Sequence, residues 1–375
     1  MELEFTSDQD ELRASIRAVL VKESPISLAR SVVEHGARPD ALWATMVELG
    51  WPALTIPEGD GGVGLGMLEL AILAEEMGRV IAPGPLLPTI SQFVPAVREA
   101  GTVEQQARWL GPVAAGELTG SLAVAETTGS FDPGRVATTV AFDGDEAVLT
   151  GTKRYVVEGD AVDELVVVCR TDAPGDAGVR AVVVPLGSTR ATPVHAFDGS
   201  RRLAHVELDG ARVARDRVLG DPDASAAVAL RRAIEEATVS VALEMVGTAQ
   251  TIFDTTLEYA KQREQFGVPI GSFQAIKHKF ADMLVSLERA RSLGYFAALT
   301  IAEDDSRRTS ATSVAKAAAG DCQRTLAKEG IQIHGGIGYT WEHDMHLYVK
   351  RIKSGDPLFG GGEWHRARIA ELLGV

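Results

Sequence analysis

Apolar side chains recur near the start of the chain at three- and four-residue spacing, at Leu12, Ile16, Val19 and Leu20 and again at Leu42, Met46 and Leu49. That is the stripe of helices packed by one face. Helix is predicted over most of 8–48 and again over 67–80, with Gly50-Trp51-Pro52 and a glycine-rich loop at 57–66 between them. From about residue 118 the period changes. Segments 120–125, 147–150, 164–168, 179–184 and 204–208 read as short strands separated by Gly, Asp and Pro, and strands of this length and spacing predict a small barrel or sandwich. After Gly220-Asp221-Pro222-Asp223, helical periodicity returns and persists to the end.

One stretch of the last region stands out. From Ala237 to Gln250 the lone charge is Glu244, set among Val239, Val241, Leu243, Met245 and Val246, and a carboxylate there needs a partner or a chemical role. The helix then breaks at Arg263-Glu264-Gln265-Phe266-Gly267-Val268-Pro269-Ile270, a compact polar loop with Gly and Pro, and restarts at Ser272-Phe273-Gln274.

Composition narrows the classes. With 375 residues, 45% hydrophobic and 24% charged, the chain has enough material for two or three domains with cores. No apolar run reaches the roughly 18–20 residues of a membrane helix, and the acidic, amphipathic start has no signal-peptide pattern, so the cytoplasm is expected. Cys169 and Cys322 are far apart and have no neighbours at ligand spacing, which supports neither a disulfide framework nor a metal site. A formal charge of −15 argues against nucleic acid as partner. The glycines at 57–66 lack the Lys-Ser/Thr ending of a phosphate loop.

The motif Arg263-x-x-Phe266-Gly267-x-x-Ile270-x-x-Phe273-Gln274 resembles the R-x-x-F-G-x-x-I-x-x-F-Q signature of the acyl-CoA dehydrogenase family. Gln332-x-x-Gly335-Gly336-x-Gly338-Tyr339 is similar to its Q-x-x-G-G-x-G-Y/F motif, and Glu76-Met77-Gly78-Arg79 to its E-x-x-G-R helix end. The resemblance implies an α+β fold: an N-terminal all-α domain (1–117), a central small β-barrel or sandwich (118–222) and a C-terminal four-helix bundle (223–375). It further implies FAD, with Arg263 and Gln274 reaching the cofactor of a neighbouring subunit, Gln332, Gly335 and Gly336 contacting its adenosine-diphosphate half across the subunit interface, and Gln265 and Phe266 among the cofactor-binding residues. Gly129 and Ser130 are the counterparts of the first flavin loop, although Ala125 lacks the usual threonine hydroxyl and the loop is shortened. In the second contact strand Tyr155 stands for the tryptophan that covers the ring, and Val157 replaces a hydroxyl donor. His334 reads as packing or as a supporting donor rather than a base.

The implied reaction is α,β-dehydrogenation of an acyl-CoA thioester, in which a glutamate takes the α-proton while flavin N5 takes the β-hydride. Many members carry that glutamate in a C-terminal Y-E-G-T run, where this chain has Gly360; the amide of Gly360 remains as a donor to the thioester carbonyl. A second group carries it on the helix before R-x-x-F-G, at a position aligned with Ala237, and the arginine often found just after is Thr238. Glu244 lies seven residues beyond Ala237, on nearly the same helix face and about 10 Å along the axis. Glu236 points roughly 100° away from that face. Glu244 is therefore ranked first as base, Glu236 second and no base third. Two readings follow: a complete dehydrogenase for a branched or bulky acyl group, or a non-catalytic or FAD-completing subunit of a hetero-oligomer. Both carry a homotetramer or heterotetramer and electron-transfer flavoprotein as acceptor; carrier-protein thioesters and flavin oxidase chemistry stay open.

Overall fold

The run Leu165-Val166-Val167-Val168-Cys169 lacks polar alternation because both faces of its strand are covered. Val166 and Val168 belong to one hydrophobic layer, and Leu165, Val167 and Cys169 to another. In the computed structural model, which describes residues 4–375, it lies within a seven-stranded mixed sheet. The strands are β1 (Gly120–Ala123), β2 (Thr139–Asp143), β3 (Glu146–Val157), β4 (Glu164–Arg170), β5 (Val179–Pro185), β6 (Arg190–Pro193) and β7 (Leu203–Ala214). Their order is β1-β4-β2-β3-β7-β6, with β5 also on β4. β1 runs parallel to β4, while β3 pairs antiparallel with β2 and β7.

Helices flank the sheet in the sequence. Before it come α1 (Ser7–Glu23), α2 (Ile26–His35), α3 (Asp40–Glu48), α4 (Met67–Arg79), α5 (Leu86–Pro88), α6 (Val94–Ala100) and α7 (Val103–Ala114). After it come α8 (Ala227–Gln262), α9 (Gln274–Ala302), α10 (Arg308–His334), α11 (Met345–Gly355) and α12 (Gly362–Leu373). The architecture is thus helical, then a curled sheet, then a helical bundle, as the change of period predicts. Strands β2 and β6 go unread in the sequence because Thr139–Asp143 is short with one buried residue, Val140, and Arg190–Pro193 is an exposed edge.

By contacts the chain divides into two units, each built from separated stretches. One comprises Met1–Ala37, Met67–Pro83 and Thr238–Val375; the other comprises Arg38–Gly66 and Gly84–Ala237. In the sheet-bearing unit, Phe93, Trp109, Leu110 and Leu230 join Val166 and Val168 in one buried layer. In the helical unit, α4 crosses α8 at backbone contact distance. A Cβ on Gly78 would meet Glu244 O at 2.0 Å, and one on Gly247 would meet Glu75 O at 1.8 Å, so glycine is required at both. The hydroxyls of Thr248 and Thr251 donate to Gly78 O (2.9 Å) and Arg79 O (2.7 Å) across the same crossing. Beside it the buried Glu75 accepts from Tyr295 Oη at 2.6 Å and Arg291 Nε at 2.9 Å, and Glu76 from Arg17, which ties α1 and α9 to α4.

Candidate cofactor and substrate site

In the helical unit, α8 ends by turning into a β-hairpin rather than the expected loop. The amide of Arg263 donates to Tyr259 O and its carbonyl accepts from Ile270, both at 2.8 Å, enclosing β8 (Glu264–Gln265) and β9 (Val268–Pro269). The turn residues Phe266 (φ 55°) and Gly267 (φ 79°) both lie in the left-handed region, as a tight hairpin requires. Arg263 and Gln265 are exposed, Phe266 is 94% exposed, and Gln274 opens α9 with Nε2 at 3.1 Å from His278 Nε2.

At the other end of the motif set, α10 stops at His334 and Gly335 (φ 65°) redirects the chain. Gln332, Gly335 and Gly336 are exposed, and no neighbouring atom lies within 4 Å of where a Cβ would sit on either glycine. The two segments share a root. The rings of Tyr259 and His334 stack at 4.5 Å, and Tyr259 Oη donates to His334 O at 3.4 Å. Tyr259 lies one turn before Arg263, so the guanidinium-bearing hairpin and the open glycine turn rise from one support. Exposed guanidinium and amide donors above a glycine turn are suited to phosphate oxygens. His334 donates through Nδ1 to Gly330 O at 2.7 Å, and burial lowers its proton affinity.

In the sheet-bearing unit, a second group gathers where β3 passes residues 124–126. The amide of Arg154 donates to Ala125 O at 2.8 Å, and Gly129 (φ 69°) turns the chain with its amide on Glu126 O at 2.9 Å and open space beside it. Ser130 Oγ accepts from the amide of Asp132 at 3.2 Å. A register irregularity between Lys153 and Val156 puts Tyr155 at φ 57°, 44% exposed, edge-on to His205 at 5.3 Å.

Beneath it lies a pair that sequence reading missed, with Lys153 Nζ 2.7 Å from Glu126 Oε1. Burial works to raise the Glu126 proton affinity, but Lys153 and the Thr138 hydroxyl and amide outweigh it and hold the carboxyl below its ordinary value. The signal was present, because strand alternation puts Lys153 in phase with the buried Ala147 and Leu149.

Two of the expected site residues are bonded within the fold. Glu244 Oε1 is 3.1 Å from Arg351 Nη1, with both side chains 5% exposed, and Arg351 Nη2 donates onward to Ile81 O at 3.3 Å. A buried carboxylate so paired forms one half of an ion pair whose two charges compensate each other's burial. Gly360 (φ 98°) has its amide on Pro357 O at 3.2 Å, so the donor assigned to the thioester carbonyl is used within the turn. Lys316 Nζ donates to Gly360 O (2.8 Å) and Asp356 O (2.5 Å), and His365 Nε2 to Phe359 O (3.0 Å). The space is also taken: a Cβ on Gly360 would meet Trp364 Cε3 at 2.7 Å and His365 Nε2 at 3.0 Å. Glu236 is buried with Oε1 at 2.5 Å from Arg98 Nη2.

Comparison with known proteins places this arrangement. The acyl-CoA dehydrogenase N-terminal domain matches residues 6–117 and the acyl-CoA dehydrogenase C-terminal domain residues 226–374. Acyl-CoA dehydrogenase IpdE2 of Mycobacterium tuberculosis is 33% identical over 91% of this chain and 89% of its own length. The chain belongs to the acyl-CoA dehydrogenase family.

Its reaction class is therefore acyl-CoA dehydrogenation, an oxidoreductase activity, and the family is FAD-dependent. Among solved structures, the ChsE4-ChsE5 complex from Mycobacterium tuberculosis superposes with a TM-score of 0.90 at 25% identity, covering 100% of this chain and 99% of that one. A structure described as the electron transferring flavoprotein of Acidaminococcus fermentans superposes at 0.92 with 26% identity, over 100% and 99%. The residues present fit FAD: Gly335 and Gly336 offer unobstructed backbone after α10, the hairpin that shares the Tyr259–His334 support carries the exposed Arg263, and Gly129 leaves open space on its loop while Tyr155 is turned outward. Among the described residues no helix is long and apolar enough to cross a membrane.

Proposed function

We propose that this chain is the FAD-completing subunit of a hetero-oligomeric acyl-CoA dehydrogenase, in which a related chain supplies the α-proton base. One observation carries this reading. The two family base positions hold Ala237 and Gly360, and the two alternative carboxylates, Glu244 and Glu236, are paired with the buried Arg351 and the partly buried Arg98. The ChsE4-ChsE5 neighbour, described as a complex of two differently named chains, supports it by likeness.

In this reading Arg263, Gln265, Phe266, Gln274, Gln332, Gly335 and Gly336 hold the adenosine-diphosphate half of the cofactor. Gly129, Ser130 and Tyr155 hold the ring. When bound, FAD takes the β-hydride and passes electrons to electron-transfer flavoprotein. This chain's part is to bind and orient, while the α-proton leaves to a carboxylate of the partner.

A self-sufficient enzyme for a branched or bulky acyl group is the competing reading, and Glu236, adjacent to Ala237, is the residue it would need. Anaerobic bleaching of the purified flavoprotein against a panel of acyl-CoA thioesters separates the two. The subunit reading expects no bleaching by the chain alone and bleaching once a related chain is co-purified with it. Bleaching by the lone chain, abolished in Glu236→Gln, would establish the competitor.

A further inference from the structure

A buried ammonium is costly unless its bonds are all made, and the sheet-bearing unit holds one at a single place. Lys153 is 0% exposed. Its Nζ donates to Glu126 Oε1 at 2.7 Å and to Val124 O at 3.1 Å. Glu126 accepts in addition from the amide of Ala137 (2.6 Å) and from the amide (2.9 Å) and hydroxyl (2.7 Å) of Thr138. The cluster therefore joins the segment after β1, the approach to β2 and the middle of β3.

What leaves this knot on either side matters. Three residues after Glu126 the chain turns at Gly129, and two residues after Lys153 the irregularity in β3 turns Tyr155 outward. The two segments that would touch the flavin ring thus start from opposite ends of one ion pair, with the Arg154–Ala125 bond at 2.8 Å beside it.

We propose that Lys153 is a positioning residue: its bond to Glu126 sets the distance between the Gly129-Ser130 loop and Tyr155, and through them the seat of the flavin ring. This rests on the flavin reading above. A lysine buried for stability alone would change the unfolding midpoint when replaced but leave the ring's environment in the folded protein as it was.

The test uses purified full-length protein, in whichever assembly it adopts, loaded with FAD. Wild type, Lys153→Met and the milder Thr138→Val, which removes one donor to Glu126 and keeps the ion pair, are compared. FAD Kd, the visible flavin absorption bands and flavin fluorescence are measured alongside far-UV circular dichroism. Folded Lys153→Met is expected to bind FAD about tenfold more weakly, the size of one lost charged hydrogen bond, with shifted absorption bands and brighter fluorescence. Thr138→Val should move the same readouts in the same direction by less.

Unchanged Kd and spectra in folded Lys153→Met overturn the inference. If that variant does not fold, Glu126→Gln, which removes the charge that Lys153 meets while keeping an acceptor for Thr138 and Ala137, decides in the same way: a shift supports the positioning role and identical spectra overturn it. Wild-type protein that binds no FAD would sink the cofactor reading itself, whereas wild type that binds with variants indistinguishable from it sinks only the role of Lys153.

Discussion

The carboxylate of Glu244 and the guanidinium of Arg351 meet at 3.1 Å across 107 residues of sequence, each side chain 5% exposed. The pair joins α8 to α11 inside the helical unit, and Arg351 extends it to the carbonyl of Ile81 just past α4. Removing one partner leaves the other charged and buried. Arg351→Met is expected to lower unfolding stability by ~3–5 kcal/mol, and Arg351→Met with Glu244→Leu to recover much of that loss. Denaturant titration of the two variants measures it. A loss below about 1 kcal/mol in the single variant would mean that the pair contributes no more than an exposed one.

Gly360→Glu puts a carboxylate at the residue where many family members keep their base. In this chain a side chain there meets Trp364 and His365 and sits at φ 98°. The expected result is a protein destabilised by ~1–3 kcal/mol with no acyl-CoA-dependent bleaching when purified alone. Thermal melts and anaerobic spectra report the two halves separately, and bleaching gained by this one substitution would show that the turn yields.

Arg263 stands exposed at the root of the hairpin. Arg263→Ala should leave the melting temperature of the apoprotein within a degree or two while weakening FAD binding about ten- to a hundredfold, as for a lost charged hydrogen bond. Equilibrium dialysis against FAD measures it, and an unchanged Kd would remove Arg263 from the cofactor set.

Burial, and then Lys316, drive the proton affinity of His365 from its ordinary 6.5 down to about 3, with Nε2 donating to Phe359 O. The folded protein thus holds a neutral imidazole that the unfolded chain protonates below pH 6.5. This contribution to stability is complete above pH 6.5 and declines as the pH falls from there through about 3. His365→Leu should flatten the stability profile across that window, shown by urea midpoints at stepped pH. A parallel profile in the variant would assign the acid sensitivity elsewhere.

Much of the architecture is legible in the chain because it rests on local chemistry. A period near 3.6 gives way at about residue 118 to short apolar runs bounded by Gly, Asp and Pro, and returns after Pro222. The cofactor motifs are legible for the same reason: Gly335 and Gly267 occupy left-handed backbone that favours glycine, and Arg263, Gln274 and Gln332 lie at set offsets from them. Charge partners are different, because they are set by which elements fold against each other. Glu244 reads as a lone carboxylate until α11 brings Arg351 beside it, Lys153 as an ordinary strand lysine until Glu126 comes within 2.7 Å, and Gly360 as a vacancy until α12 fills it with Trp364 and His365. Sequence determined which residue types were available to the chemistry. Tertiary packing decided which of them remained free to do it, since burial makes a charge bind to whatever partner the fold supplies.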